Sequence, residues 1–372
     1  MLRNSLRLAL LISVALCIFC IGVKADEQRE MYNEQFVQFS ADKIIDGLAP
    51  PIQQMIGDED VISAEKASQI TSPKLLVQSA VNSAQAPLRL ALKLTSQILA
   101  LILAVGMFSS FELSDKAVQT VLGAVSSLAV AAVCFQPILD ATRQMCDAVN
   151  MNTSLTLATL PVSAAITAAS GAVADAAAIQ GRTAIITALM SLVTSGAVLP
   201  LAESGLALVT AVSVSAGASI SGIMSTIKKA SSTLLSIAVT VVSSSLTLQS
   251  VLAKAADSAA TKAVSYTVSG FVPVVGGPLS EVVKTVMSCS ELVATTVGTV
   301  SMVSVLIMSA QPFFTVAFMQ CALRLCAAVA QMTGVDGVSA FLSELASLVS
   351  IMLAVFLSSV VLLMLALGLA VV

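Results

Sequence analysis

The chain has 372 residues, of which 57% are apolar and only 10% charged, with a formal net charge of −3. Soluble globular domains run near 25% charged residues, so water is not the main solvent here, and the eleven bases and eleven acids beyond Pro87 leave no basic surface of the kind nucleic acid requires. Histidine is absent altogether, which excludes Ser-His and Cys-His nucleophilic pairs, imidazole metal sites and most general-base schemes.

Residues 1–25 read as a signal peptide. Arg3 and Arg7 form a basic start, Leu8 to Gly22 an apolar core, and Val23-Lys24-Ala25 a small-residue exit. The apolar core is shorter than the roughly 20 residues a membrane span needs, which favours cleavage over anchoring. Cleavage after Ala25 leaves an extracytoplasmic amino terminus. Of seven cysteines, Cys17 and Cys20 leave with the signal. The remaining five are odd in number and widely spaced, so neither a disulfide framework nor a metal knuckle follows.

The segment 26–87 is acidic, with ten acids against four bases. Phe36, Phe39, Ile44 and Leu48 fall near one helical face, Pro50-Pro51 and Gly57 divide the segment, and Ser72-Pro73 has the form of a helix start. About 60 residues bury only a modest core, so the expectation is a small extracytoplasmic helical cap resting on the membrane or on a partner.

From Leu88 to Val372 the chain is a multi-span membrane domain, a series of long apolar runs between short polar stretches. The runs are Leu92–Phe111, Val118–Leu139, Leu155–Ala178, Thr183–Leu201, Leu206–Ile227, Ser232–Ala253, Leu292–Met308 and Leu345–Val372. Eight spans is the expectation, within a range of seven to nine. The fold class is all-α, a polytopic transmembrane helical bundle, because helices satisfy their own backbone groups in hydrocarbon. Lys228 and Lys229, next to two runs, are the strongest topology markers and belong on the cytoplasmic side. Ser213, Gly217 and Ser221 recur every four residues and suit close helix packing. Asp175, Glu203 and Glu291 lie near the ends of runs and read as interfacial charges. Gly217-Ala218-Ser219 resembles the serine motif of intramembrane proteases, but without a histidine the hydroxyl has no base, so Ser219 reads as packing.

One stretch stands out, Phe271-Val272-Pro273-Val274-Val275-Gly276-Gly277-Pro278-Leu279-Ser280-Glu281. Pro273 and Pro278 interrupt a helix and the glycine pair permits unusual backbone angles. With the amphipathic run before it and a helix restarting at Leu279, the element near 254–290 is either re-entrant or a plain extracytoplasmic loop. No Walker lysine loop or dinucleotide glycine fingerprint occurs, so neither nucleotide hydrolysis nor a bound cofactor is expected.

The Phe271–Glu281 motif, the Lys228-Lys229 pair, the Ala255–Val268 approach and Gln311-Pro312 ahead of Arg324 together resemble the stage III sporulation protein AE family of endospore-forming bacteria. The resemblance implies a polytopic, permease-like component of a multi-protein complex in the mother-cell membrane around the forespore. Its implied partners are other proteins of the same operon, including a secretion-type ATPase and ring-forming proteins, in a channel-like assembly needed for late forespore development. It implies no catalytic residues. The reading from a different class is a stand-alone transporter of a small solute, suggested by polar-rich spans and the broken element at Gly276-Gly277.

Overall fold

The computed structural model describes residues 41–57, 62, 64–110, 116–169, 173–193 and 276–371, with separate positions between 196 and 240. The signal segment, Phe36, Phe39, Glu203, Ser213, Gly217, Ser219, Ser221, Lys228, Phe271 and Pro273 lie outside the described residues. Every regular element among those described is helical.

A 3-10 turn over Ala41–Gly47 leads into α1 (Pro50–Ile56), α2 (Ala64–Ile70) and then five longer helices. These are α3 (Pro73–Ser110), α4 (Lys116–Ala169), α5 (Val173–Ser191), α6 (Gly276–Met332) and α7 (Asp336–Val371). Proline opens both α1 and α3, where its fixed φ suits the first turn and its missing N–H has no helical partner to lose. α1 ends at Gly57, whose φ of 70° lets its N–H turn back to the Gln53 carbonyl at 3.0 Å.

Four of the helices are long and apolar enough to cross a membrane: α3, α4, α6 and α7. The chain is therefore an all-α, multi-pass membrane protein. Its lengths depart from the sequence expectation. Val118–Leu139 and the start of Leu155–Ala178 are not two spans joined by a loop but parts of one 54-residue helix, α4. At 1.5 Å per residue α4 is about 80 Å long, far more than the roughly 30 Å hydrocarbon layer. The reason is visible in its middle: Asp140, Arg143, Gln144, Asp147 and Asn150 are exposed, while Ala141, Met145, Ala148 and Val149 between them are buried. The 3.6-residue period continues unbroken through a stretch whose average hydropathy resembles a loop.

Similarly, Leu292–Met308 is a section of the 57-residue α6, and the 87/88 boundary falls inside α3 at Pro87. Glu291 lies well within α6 rather than at a helix start. The expected restart at Leu279 is also displaced. Gly276, Gly277 and Pro278 are the first three residues of α6 and Glu281 follows in its second turn. Proline in a first turn breaks nothing, because N–H groups there have no intrahelical acceptor.

Named contacts fix the helix directions. α6 and α7 form an antiparallel pair, with Ser339 Oγ donating to the Ala327 carbonyl at 3.0 Å near their junction and Gly368 beside Met302 at the far end. Their joint is a Schellman turn: Val335 N–H reaches the Ala330 carbonyl at 3.0 Å and Gly334 N–H the Gln331 carbonyl at 3.2 Å. Gly334 has φ of 75° with open space where a Cβ would stand, so only backbone strain opposes a side chain there. Gly334→Val is expected to destabilise the protein by about 1–2 kcal/mol, read as a lower melting temperature of the detergent-solubilised protein by circular dichroism.

α3 runs parallel to α6, with the Thr95 carbonyl accepting from Cys326 Sγ at 3.9 Å and Gly106 against Thr333. α4 runs parallel to α7: Ser127 faces Gly337, and Thr142 Oγ1 approaches Met352 Sδ at 3.8 Å. α5 docks through Ile186, with Val193 just beyond its end, on Val355, Leu362, Leu363 and Ala366 of α7.

The main core is one continuous cluster. It includes Ile98 and Ile102 of α3, Ile138 of α4, Val305 and Leu323 of α6, and Phe341, Leu345 and Phe356 of α7. Ile44, Leu48, Ile52, Ile56, Ile62 and Ile70 belong to the same cluster, each 3% exposed or less. The expected cap is thus a structural part of the bundle at its described residues. Those apolar side chains recur every four residues from Ile44 to Ile56, which gives the short elements one face to bury.

Candidate functional site

Where the amino-terminal elements meet the long helices, α4 and α6 face each other through a buried seam of neutral polar groups. On α4 these are Asn152, Thr156, Thr159 and Ser163; on α6 they are Ser301, Ser304 and Ser309, all 5% exposed or less. Hydroxyls survive in this setting because they can donate to the carbonyl of the preceding turn of their own helix. Thr156 Oγ1 donates to the Asn152 carbonyl at 2.7 Å, Thr159 to that of Thr156 at 2.8 Å, and Ser163 to that of Thr159 at 3.0 Å. Outside the seam, Thr142, Thr187, Thr315 and Ser359 do the same. This is how a chain so rich in Ser and Thr fills apolar helices without leaving each hydroxyl orphaned.

At the seam, among the described residues, two bonds cross between elements. Asn152 Nδ2 donates to Ser309 Oγ at 2.8 Å, tying α4 to α6. The backbone N–H of Ala49, left without a helical acceptor just before α1, donates to Ser304 Oγ. Ser304 Oγ also approaches Met308 Sδ at 3.6 Å. Beside these bonds Gly47 lies against Leu155, where an added Cβ would stand 3.3 Å from Leu155 Cδ1, so a larger residue there requires the leucine side chain to shift.

Some seam atoms have no hydrogen-bond partner among the described residues, namely Asn152 Oδ1 and Ser301 Oγ, with Thr153 Oγ1 one residue further along α4. An orphaned buried polar atom carries a desolvation cost of about 1–3 kcal/mol. The consequence separates two substitutions. Asn152→Ala removes the cross-helix bond and should cost about 1–2 kcal/mol, while Ser301→Ala removes a hydroxyl that makes no bond and should be neutral or slightly stabilising. A thiol-reactive fluorophore reads both, since buried Cys134 and Cys326 become accessible as the bundle opens.

Among the described residues the seam is built of neutral amide and hydroxyl groups, which order the helices through the bonds given above. Among the described residues no group of three or more His, Cys, Asp or Glu could hold a metal ion.

Those of the residues singled out from the sequence that are described lie elsewhere. Gly276, Gly277, Pro278 and Glu281 open α6, many turns from Ser301. Lys229 is exposed on a helical segment. Asn152 and Ser304 were not foreseen, because their importance lies in cross-chain partners: the Ala49–Ser304 bond joins positions 255 residues apart. A signal was nevertheless present in the Asn-Thr-Ser-x-Thr-x-x-Thr run from Asn152 to Thr159, which places polar groups on one helical face of an apolar stretch.

Neither curated proteins nor solved structures yield a match to the chain. The model of the stage III sporulation protein AE family matches residues 59–372, which takes in every long helix and the seam they form. The chain therefore belongs to the stage III sporulation protein AE family.

Proposed function

We propose that this protein is the polytopic membrane component of a channel-like complex joining mother cell and forespore, required for late forespore development. The observation that carries this reading is the family match over residues 59–372, which assigns the chain to stage III of sporulation. The form of the bundle suits such a role, with four apolar helices, two of them far longer than a bilayer is thick. In this reading the protein sits in the mother-cell membrane around the forespore, with the amino-terminal segment extracytoplasmic. Its partners are other proteins of the stage III operon, among them a secretion-type ATPase and ring-forming proteins. It contributes scaffold and passage rather than chemistry of its own; the absence of histidine from the sequence supports this.

Deletion of the gene in the sporulating host, followed by scoring of heat-resistant spores and of late forespore reporter expression, tests the reading. Development arrested after engulfment, rescued by the wild-type chain and accompanied by co-purification with the ATPase, is expected. Normal late forespore expression in the deletion strain would overturn it. Solute uptake by the purified protein alone in liposomes would favour a stand-alone transporter.

A further inference from the structure

α3 and α4 carry charged residues on outward faces inside helices that are otherwise long and apolar enough to span a membrane. Arg89 and Lys93 are exposed on α3, and Asp140 and Asp147 are exposed on α4. None of the four makes an ion pair with any described residue; Asp140 accepts only a hydrogen bond from Gln136 at 2.9 Å. Charge facing hydrocarbon is unfavourable, and such residues normally face protein or water.

Helix contacts set these groups at comparable heights. Gly106 of α3 lies against Thr333, and Ser127 of α4 lies against Gly337, one turn along the α6–α7 joint. Gly106 and Ser127 are therefore nearly level, and α3 and α4 run antiparallel, so descending from each reference counts down α3 and up α4. Lys93 and Asp140 are each thirteen residues from the reference, about 20 Å below it. Nine residues below stand Gln97 on α3 and Gln136 on α4, both exposed. Arg89 and Asp147 are level to within three residues, about 4–5 Å. Arg143, also exposed, is turned about 60° aside from Asp140 on α4.

We propose that these two stripes are the halves of a self-association surface, the basic α3 face of one copy packing on the acidic α4 face of a second copy. Copies inserted in one membrane with one orientation share a height axis, so groups level within a chain are level between chains. Lys93 then meets Asp140 of the other copy, with amide opposite amide one turn away at Gln97 and Gln136. Matched height together with opposite charge selects a second copy of this chain over an unrelated partner, because no unrelated partner is bound to carry the complementary stripe at the same depth. The polar faces cover each other, and the charges are removed from lipid in the same contact.

Charge reversal on the full-length protein provides the test. Purified wild-type protein in detergent or nanodiscs is expected to sediment as a dimer or larger ring, while K93D and D140K each weaken association by about tenfold. The double variant K93D/D140K restores the pairing with its signs exchanged and should restore association. Circular dichroism of every variant establishes that the helices persist. The milder K93Q and D140N pair serves the same comparison if a reversal prevents insertion. A wild-type protein that is monomeric at all concentrations would overturn the proposal, as would single reversals without effect or a folded double variant that stays dissociated. Labelling of Lys93→Cys and Asp140→Cys by a membrane-impermeant maleimide, undiminished at high protein density, would assign the stripes to water and also overturn it.

Discussion

Ile52→Asp is expected to cost the protein about 3–5 kcal/mol and to abolish its accumulation in the membrane, although it lies in a short helix near the amino terminus. Ile52 has 0% of its surface exposed and sits in the same core as α4, α6 and α7. A carboxylate there would lose its solvation among the apolar side chains of that core. Gln54→Asp, two residues on at an exposed position, is the control and should change stability by less than about 0.5 kcal/mol. Thermal unfolding of the two variants, followed by the exposure of Cys134 and Cys326, separates an integrated element from a loosely resting cap. Equal stability of Ile52→Asp and Gln54→Asp would show the amino-terminal helices to be dispensable to the bundle.

Phe341→Ala carries the second large effect. Phe341 is fully buried near the start of α7, next to the Schellman joint that aligns α7 with α6. In a bundle surrounded by lipid, transfer of apolar surface out of water contributes less than it does in a soluble core. What the substitution removes is chiefly close packing, and rigid helices held by the joint cannot collapse to refill the space. The expected cost is about 3–5 kcal/mol, seen as a lowered melting temperature in detergent. Phe108, 62% exposed near the end of α3, is the matched control, and Phe108→Ala should cost less than about 0.5 kcal/mol. A loss of similar size at both positions would mean that aromatic contact with detergent or lipid, and not interior packing, sets the stability.

The amino-terminal elements also change how the bundle is held together. The backbone of a 3-10 turn and a short helix brings many unpaired N–H and C=O groups, which the interior tolerates only when they are matched. Gln53 Nε2 donates to the carbonyls of Ile45 at 3.2 Å and Asp46 at 2.8 Å, and Lys66 Nζ donates to the carbonyl of Ile56 at 2.7 Å. With Ala49 bonded to Ser304, these contacts pair several of the segment's backbone groups while its isoleucines join the core shared with α4 and α6. Between Ala41 and Ile70 the described backbone runs through a 3-10 turn and the two short helices α1 and α2.

Composition and patterning by themselves determined the solvent and the class of fold, since in a chain with 10% charged residues apolar runs of about 20 residues match the length of a spanning helix, which satisfies its own backbone in lipid. Local chemistry also placed the start of α3, where Pro73 is compatible with a first turn, whereas Pro50-Pro51, which reads as a division of the segment, opens α1. The motifs around Phe271–Glu281 and Lys228-Lys229 carried the family resemblance, which the match over residues 59–372 bears out. The tertiary structure alone decided that α4 runs unbroken past Asp140 and Asp147, because a window of hydropathy averages over all faces and cannot separate a polar stripe from a loop. It alone joined Ala49 to Ser304 and Asn152 to Ser309, pairs 255 and 157 residues apart. Such partners are set by how whole helices pack, and no local propensity encodes which neutral hydroxyl will stand opposite which orphaned amide.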